Sequence, residues 1–456
     1  MSSNTSPVEN KMGTMPVVRL ILNMSLPMVF SMLIQALYNI VDSIFVAQIG
    51  EDALTAVSLA FPVQNLMISF AVGTSIGVNA MLSMKLGQRE QESVNKFAMN
   101  GVFLSFCTYV VFFVLGLTCV MPYLQSQTSS ASIIEYGREY LLIVTSLGFG
   151  LFGGVMFDRL LQATGRTFLA MISQIVGAVI NIIFDPLLIF GVGFFPKMGM
   201  RGAALATVLG QIIGLFVSIM LNVRYNKDVR FKLKNLIPEV RIVCDIYKIG
   251  VPSILLSSIT SVITYFVNII LGRFSTTAIA VYGVYFKLNS FIFMPVFGLN
   301  NGIVPIIAYN YGAQHHKRIT NTIRAALLMA FMIMCFGAAL FELFPDRLFS
   351  LFNASDEMVE LGCHCLRRIA PSFLGAAIAI TLSSVFQAFG SAVYSMIVSF
   401  ARQLIVFLPA AYFLSLTGDV NNVWWCFIIA EFMSVGMSLF FMRRVYVKKI
   451  KPIPLK

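Results

Sequence analysis

Charge is what this sequence has least of. Of its 456 residues, only 11% are Asp, Glu, Lys or Arg, against roughly 25% in an ordinary soluble domain. A soluble chain of this length would fold as about three domains, and 32 basic with 20 acidic side chains cannot solvate three such surfaces. A soluble enzyme, a nucleic-acid binder and a disordered scaffold are therefore excluded. Histidine is nearly absent, with three copies, and the seven cysteines show no paired spacing except Cys363-His364-Cys365. The other two histidines, His315 and His316, lie in a different loop and no second Cys pair exists, so no metal site is expected beyond a bound sodium ion. The signatures of nucleotide and zinc chemistry are missing too. There is no Walker A sequence, no H-E-x-x-H and no G-x-G-x-x-G opening a helix, which excludes ATP-driven transport by this chain alone. No secretory signal peptide is expected, because the apolar stretch after the polar first 16 residues runs past signal length.

What remains is apolar, at 58% of the chain. Runs of 18 or more apolar residues mark membrane-spanning helices, since about 20 residues cross the hydrocarbon. Twelve are expected, at 24–47, 55–84, 97–121, 138–159, 168–190, 202–223, 247–271, 278–303, 320–343, 364–386, 394–416 and 423–443. Backbone groups in lipid must bond internally, so the fold class is an all-α membrane protein. Lys and Arg in the gaps orient it: 23 lie on the side of the two termini and 7 on the other. Both termini are then cytoplasmic, and the net charge of +12 faces anionic lipid, with no role for nucleic acid.

The chain repeats itself. A shift of 225 residues superimposes Pro27 on Pro252, Gly73 on Gly298, Gly77 on Gly302 and Gly87 on Gly312. It also superimposes Gly137 on Gly362, Gln162 on Gln387, Ala163 on Ala388 and Gly165 on Gly390. Six helices per copy is an even number, so the copies share orientation. The expectation is two six-helix lobes, 1–223 and 247–456, related by a pseudo-two-fold along the membrane normal and joined by a basic cytoplasmic linker, 224–246. A substrate pathway is expected between them near the midplane.

Gly73-Thr74-Ser75-Ile76-Gly77 matches the G-x-S-x-G of serine hydrolases, but that pattern needs a strand-to-helix elbow and a His partner. Its repeat counterpart reads Gly298-Leu299-Asn300-Asn301-Gly302, and close helix packing through small residues explains both copies. No catalytic residue is expected. Ionisable residues inside spans are expensive and mark function by default. Five stand out: Asp42, Asp185, Lys287, Arg402 and Glu431. Asp158, near the cytoplasmic end of its span, reaches water or a basic neighbour more cheaply.

Asp42 and Asp185 sit about equally far from the outer ends of the first and fifth helices. Asn181 is one turn before Asp185. Thr207 and Tyr140 fall at similar depth. Hard oxygens of this kind suit a small cation, and two close carboxylates that cannot both stay ionised suit a proton. The second half replaces Asp42 by Val267, Asn181 by Val406 and Asp185 by Ala410. Carboxylates needed only for packing would recur there, so the asymmetry favours an ion site in the first lobe. Arg402 and Glu431 are expected to pair, or with Lys287 to serve substrate or gating. Pro27 and Pro186 each remove a helical hydrogen bond beside the site and are expected to act as hinges. Soft Met and Phe side chains are expected to line the substrate cavity.

These residues resemble the multidrug and toxic compound extrusion (MATE) family over essentially the whole chain. The matching stretches are Leu26-Pro27, Tyr38-Asn39-Ile40-Val41-Asp42, Gln162-Ala163-Thr164-Gly165-Arg166 and the run from Asn181 through Asp185-Pro186 to Phe190. Gly199 through Gly202 to Thr207, Tyr285-Phe286-Lys287 through Pro295, and Tyr309-Asn310-Tyr311-Gly312-Ala313 complete them. The resemblance implies a secondary antiporter working by alternating access, with Asp42, Asn181, Asp185 and Thr207 at cation-binding positions. The seventh and tenth spans lack the mid-depth acids of one branch, so the pattern looks closest to bacterial DinF-like or MepA-like members.

The reading is thus a monomeric exporter in a bacterial cytoplasmic membrane. It expels amphipathic, cationic small molecules in exchange for Na+ or H+, with no other cofactor. The rival is a flippase for lipid-linked oligosaccharide or a cell-wall precursor, which would favour extra helices and a basic cavity.

Overall fold

The computed structural model describes residues 10–193, 195–352 and 355–454. Every regular element among them is helical. Ten helices are long and apolar enough to cross a membrane. In the first half these are α1 (Val17–Ala47), α2 (Glu51–Gly87), α3 (Gln91–Gln127), α6 (Thr167–Phe190) and α7 (Met200–Tyr225). Between α3 and α6 come α4 (Ala131–Ser146) and α5 (Phe149–Ala163), a pair bent by 45°. The second half has α8 (Val240–Leu271), α9 (Thr276–Gly312) and α10 (His316–Leu343), then α11 (Asp356–Ile369) and α12 (Ser372–Ala388), a pair bent by 53°. It ends with α13 (Ala392–Ser415) and α14 (Trp425–Val445). Counting each bent pair as one span gives twelve.

Two spans differ from expectation. The straight segments 138–159 and 364–386 are instead broken helices that begin earlier. Their first halves carry Glu135, Arg138 and Glu139, or Asp356, Glu357 and Glu360, which hid them from a search for apolar runs. Gly148 and Pro371 stand at the breaks. Pro371 has no N–H to carry the helical ladder across.

The repeat is written into the backbone. Helices α2 and α9 are both 37 residues long, and each starts and ends 225 residues from the other. Arg89 and Gln314, also 225 apart, are the two non-glycine residues with positive φ among those described, at 61° and 58°. Both close the helix before them with the same pair of hydrogen bonds: Arg89 N to Leu86 O and Glu90 N to Lys85 O, then Gln314 N to Tyr311 O and His315 N to Asn310 O. This is the six-to-one closure that a left-handed residue after a helix permits.

The chain divides into two compact units, and the cuts fall inside helices, not in the basic loop. One unit is Phe30–Ile254; the other gathers Leu255 onward with the chain up to Val29. Each cut lies two residues past a proline, Pro27 in α1 and Pro252 in α8. Glycines explain why the start of each helix packs where it does. Gly73 and Gly77 of α2 press against the backbone of Gly250, Ile254 and Ile246, leaving no room for a Cβ. Gly298 and Gly302 of α9 press in the same way against Val29 and Ser25. Ser25 Oγ donates to Leu299 O at 3.2 Å across that contact. The 224–246 segment is tied to α3: Asn95 Oδ1 accepts from Arg230 N at 2.8 Å and Asn100 Oδ1 from Glu239 N at 2.9 Å.

Candidate functional site

Three polar stripes meet inside the Phe30–Ile254 unit. Helix α1 carries Ser31, Gln35, Tyr38 and Asp42 at helical spacing, so they share one face. Helix α6 carries Ser173, Gly177, Asn181 and Asp185 four residues apart, and α7 adds Thr207 and Gln211. A cavity of about 140 Å³ runs between them, lined also by Gly150 and Gly154 of α5.

At the end farther from the basic loops, the stripes gather oxygen atoms. Asn181 Nδ2 donates to Asp185 Oδ1 at 3.4 Å and to Thr207 Oγ1 at 3.5 Å. Asp42 is within electrostatic reach of both Asp185 and Tyr140. The Tyr140 hydroxyl accepts from Gln64 Nε2 at 3.0 Å. Asp185 is 0% and Asn181 3% exposed. Asp42 Oδ1, Asn181 Oδ1 and Asp185 Oδ2 are buried with no hydrogen-bond partner. Among the described residues, neither carboxylate forms an ion pair. Buried acceptors left over in an apolar bundle are costly. A group of them with no basic partner is suited to a small hard cation or to protons. Asp42, Asn181, Asp185, Thr207 and Tyr140 therefore fall in one neighbourhood. Pro186 lies within α6 directly after Asp185 and leaves the Ile182 carbonyl without its helical donor. Pro27 lies within α1, two residues before the cut between the units.

The second half is built differently at the matching places. Val267, equivalent to Asp42, is 2% exposed, and Ile263, equivalent to Tyr38, is 7% exposed. Within α13 the segment Ala401–Phe407 widens to a π-helix, a distortion that often marks functional or strained sequence. Arg402 on it, equivalent to Gly177, donates to Glu431 Oε2 at 2.9 Å. Glu431 is equivalent to Ala206, the neighbour of Thr207. The second half thus holds an internal ion pair where the first half has small residues beside a cavity. Lys287 takes no part in it. Its side chain is exposed, with Nζ 5.9 Å from the centre of the Phe352 ring.

Several cavity residues were not singled out from the sequence: Ser31, Gln35, Tyr38, Ser173, Gln174 and Gln211. Their spacing in register with Asp42, Asp185 and Thr207 was the available signal. Asp158 is 8% exposed, accepts from Ser173 and Ser218, and lies within electrostatic reach of the basic Arg159 beside it. Ser75 of the hydrolase-like pattern is fully buried and donates to Val72 O at 2.9 Å, while Gly73 and Gly77 serve helix packing. Cys363 Sγ donates to Asp346 Oδ1 at 2.7 Å, a local link between neighbouring helices.

Comparison with known proteins agrees with this architecture. The family model MatE matches twice, over residues 27–187 and 252–413, so the two matches begin 225 residues apart. The chain is 26% identical to the multidrug export protein MepA of Staphylococcus haemolyticus, over 93% of both chains. It is also 26% identical to an FAD transporter of Shewanella oneidensis, over 87% of this chain and 88% of that one. A solved outward-facing multidrug resistance MATE transporter of the MOP superfamily superposes with a TM-score of 0.88 at 25% identity, covering 95% of this chain and 97% of that one. With both halves matched, the chain belongs to the MatE family and is a membrane transporter, not an enzyme.

Proposed function

We propose that this transporter is a secondary antiporter that exports amphipathic, cationic small molecules as Na+ or H+ moves inward. The coupling ion binds the oxygens of Asp42, Asn181, Asp185 and Thr207, with Tyr140 and Gln64 bounding the layer. The observation that carries this is the cluster of partnerless carboxylate and amide oxygens in the first half, set against apolar residues at the same positions of the second. A cation there lowers affinity for the drug in the cavity, and linkage makes the two effects reciprocal. One charge moving with the field gains about 2.3 kcal/mol per 100 mV and a monovalent cationic drug moving outward costs as much, so one-for-one exchange runs on the ion's concentration gradient and a second ion adds the potential. Pro27 and Pro186 let α1 and α6 bend beside the ion. The membrane is the bacterial cytoplasmic one, with both termini inside, and a single chain is the working unit. The multidrug export named for the staphylococcal relative supports the cargo class.

The test is dye efflux from proteoliposomes under separately imposed sodium and pH gradients, for wild type, Asp42→Asn and Asp185→Asn. Gradient-driven efflux is expected to fall by tenfold or more in each variant, with the active gradient naming the ion. Wild-type efflux in both variants removes the ion site. A second reading follows from the FAD transporter relative: the cargo is an anionic flavin nucleotide. Gradient-driven FAD movement without dye movement in the same vesicles would establish it.

A further inference from the structure

We infer that Asp158, with Ser173 and Ser218, forms a second cation station on the ion path through the first half, between the Asp42–Asp185 layer and the basic-loop side. The inference rests on the reading that Asp42 and Asp185 take the coupling cation.

Asp158 stands in the last turns of α5 and is 8% exposed. Its Oδ1 accepts from Ser218 Oγ of α7 at 2.7 Å and from Ser173 Oγ of α6. No ion pair reaches it among the described residues. Arg159, next in the chain, donates to Gln162 Oε1 at 2.8 Å. Two hydroxyls, the Gln174 side chain and the nearby Arg159 charge compensate in part a carboxylate placed in an apolar bundle, and a small cation completes the compensation.

The same cavity touches both stations. It is lined by Asp158 and Ser173 at one end and by Asn181 and Thr207 at the other. Ser173 and Asn181 are eight residues apart on one helix, about 12 Å at 1.5 Å per residue. Ser31 and Gln211 also line the cavity. Ser31 is 3% exposed, and its Oγ, like Gln211 Oε1, is buried with no hydrogen-bond partner. Polar acceptors in a cavity that joins Asp158 to Asn181 and Thr207 give a monovalent cation oxygens to step along without crossing bare hydrocarbon.

The internal repeat separates this role from a packing role. The second half builds the equivalent helices with Ser383 for Asp158, Val398 for Ser173 and Leu256 for Ser31. Val398 is 5% exposed there. A six-helix lobe of this design therefore folds without the carboxylate and without its polar approach. Asp158 disappears from the second half together with Asp42 and Asp185, as a part of the same pathway should.

Asp158→Asn tests the inference, because the amide oxygen still accepts from both serines while the charge is lost. The full chain in proteoliposomes is expected to show gradient-driven dye efflux reduced tenfold or more. Equilibrium dye binding, and its displacement by Na+ or by low pH, is expected to stay within twofold of wild type, since the Asp42–Asp185 layer is intact. Asp158→Ser, the residue of the second half, is expected to behave alike and serves if the Asn variant melts early. Wild-type efflux in the variant that folds overturns the station while leaving the first site standing. Loss of cation-displaced binding in Asp158→Asn overturns it too, by making Asp158 part of a single site. Wild-type efflux in Asp42→Asn and Asp185→Asn would instead remove the reading beneath it. Dependence on the sodium or the pH gradient separates the two cations.

Discussion

Breaking the Arg402–Glu431 pair should cost unequally from its two sides. The contact is 2.9 Å long, with side chains 27% and 9% exposed. At an effective dielectric of about 20, the gross attraction at that distance is about 6 kcal/mol, but desolvation of both ions offsets most of it. Removing one partner of a buried pair typically costs about 3–5 kcal/mol, because the other charge is left uncompensated. Glu431 is the more buried partner and its Oε1 already lacks a hydrogen bond. Arg402→Met, which strands that carboxylate, is therefore expected to cost about 3 kcal/mol. Glu431→Gln leaves a guanidinium with access to water and an amide oxygen to accept from it, and should cost about 1 kcal/mol. Arg402→Met with Glu431→Leu should return to within about 1 kcal/mol of wild type. With roughly 2 cal/mol/K of unfolding entropy per residue, 3 kcal/mol corresponds to a melting shift of about 3 °C in a chain of 456 residues. Thermal unfolding in one detergent reads the cycle, and dye efflux is measured on the same samples. The double variant is expected to keep gradient-driven efflux, since the pair neutralises itself and carries no coupling ion. The reasoning fails if Glu431→Gln costs more than Arg402→Met, if the double loses the sum of the singles, or if a well-folded double no longer couples.

Three further outcomes are expected. Pro27→Ala restores a backbone donor in α1 and should raise the melting temperature while slowing gradient-driven efflux; unchanged rate and coupling would discard the hinge. Gly77→Leu and Gly302→Leu each place a side chain into a neighbouring backbone. Each should cost at least about 3 kcal/mol, at the upper end for overpacked sites, and reduce the monodisperse yield on size exclusion. Ser75→Ala removes only a bond to its own helix, so efflux and melting should match wild type; a lost activity would reopen the hydrolase pattern.

Much of the architecture was legible in the residues. The 225-residue offset seen in Pro27, Gly73, Gly77 and Gly165 reappears as matched helix ends and matched left-handed turns at Arg89 and Gln314. Arg89 and Gln314 themselves were invisible, because no residue type announces positive φ except glycine and, weakly, asparagine. The bends in the fourth and tenth spans escaped because their first halves are amphipathic and charged. Lys287 lies within a span, as its place in the run implied, but its side chain is exposed on the helix and not buried in the bundle. Where a side chain faces depends on the rotation of its helix, which depth along a run does not encode.

By itself the sequence determined what a bilayer forces on it: helices only, their number, the duplication, and which half keeps acids. Those properties follow from composition and spacing along one strand of chain. Tertiary structure alone decided which helix ends belong to which compact unit, and that Asp158 faces Ser173 and Ser218 from helices 15 and 60 residues away. It also decided that Arg402 stands opposite Glu431. Such meetings depend on crossing angles and on glycine-sized gaps between helices, and those are settled only when all the faces pack at once.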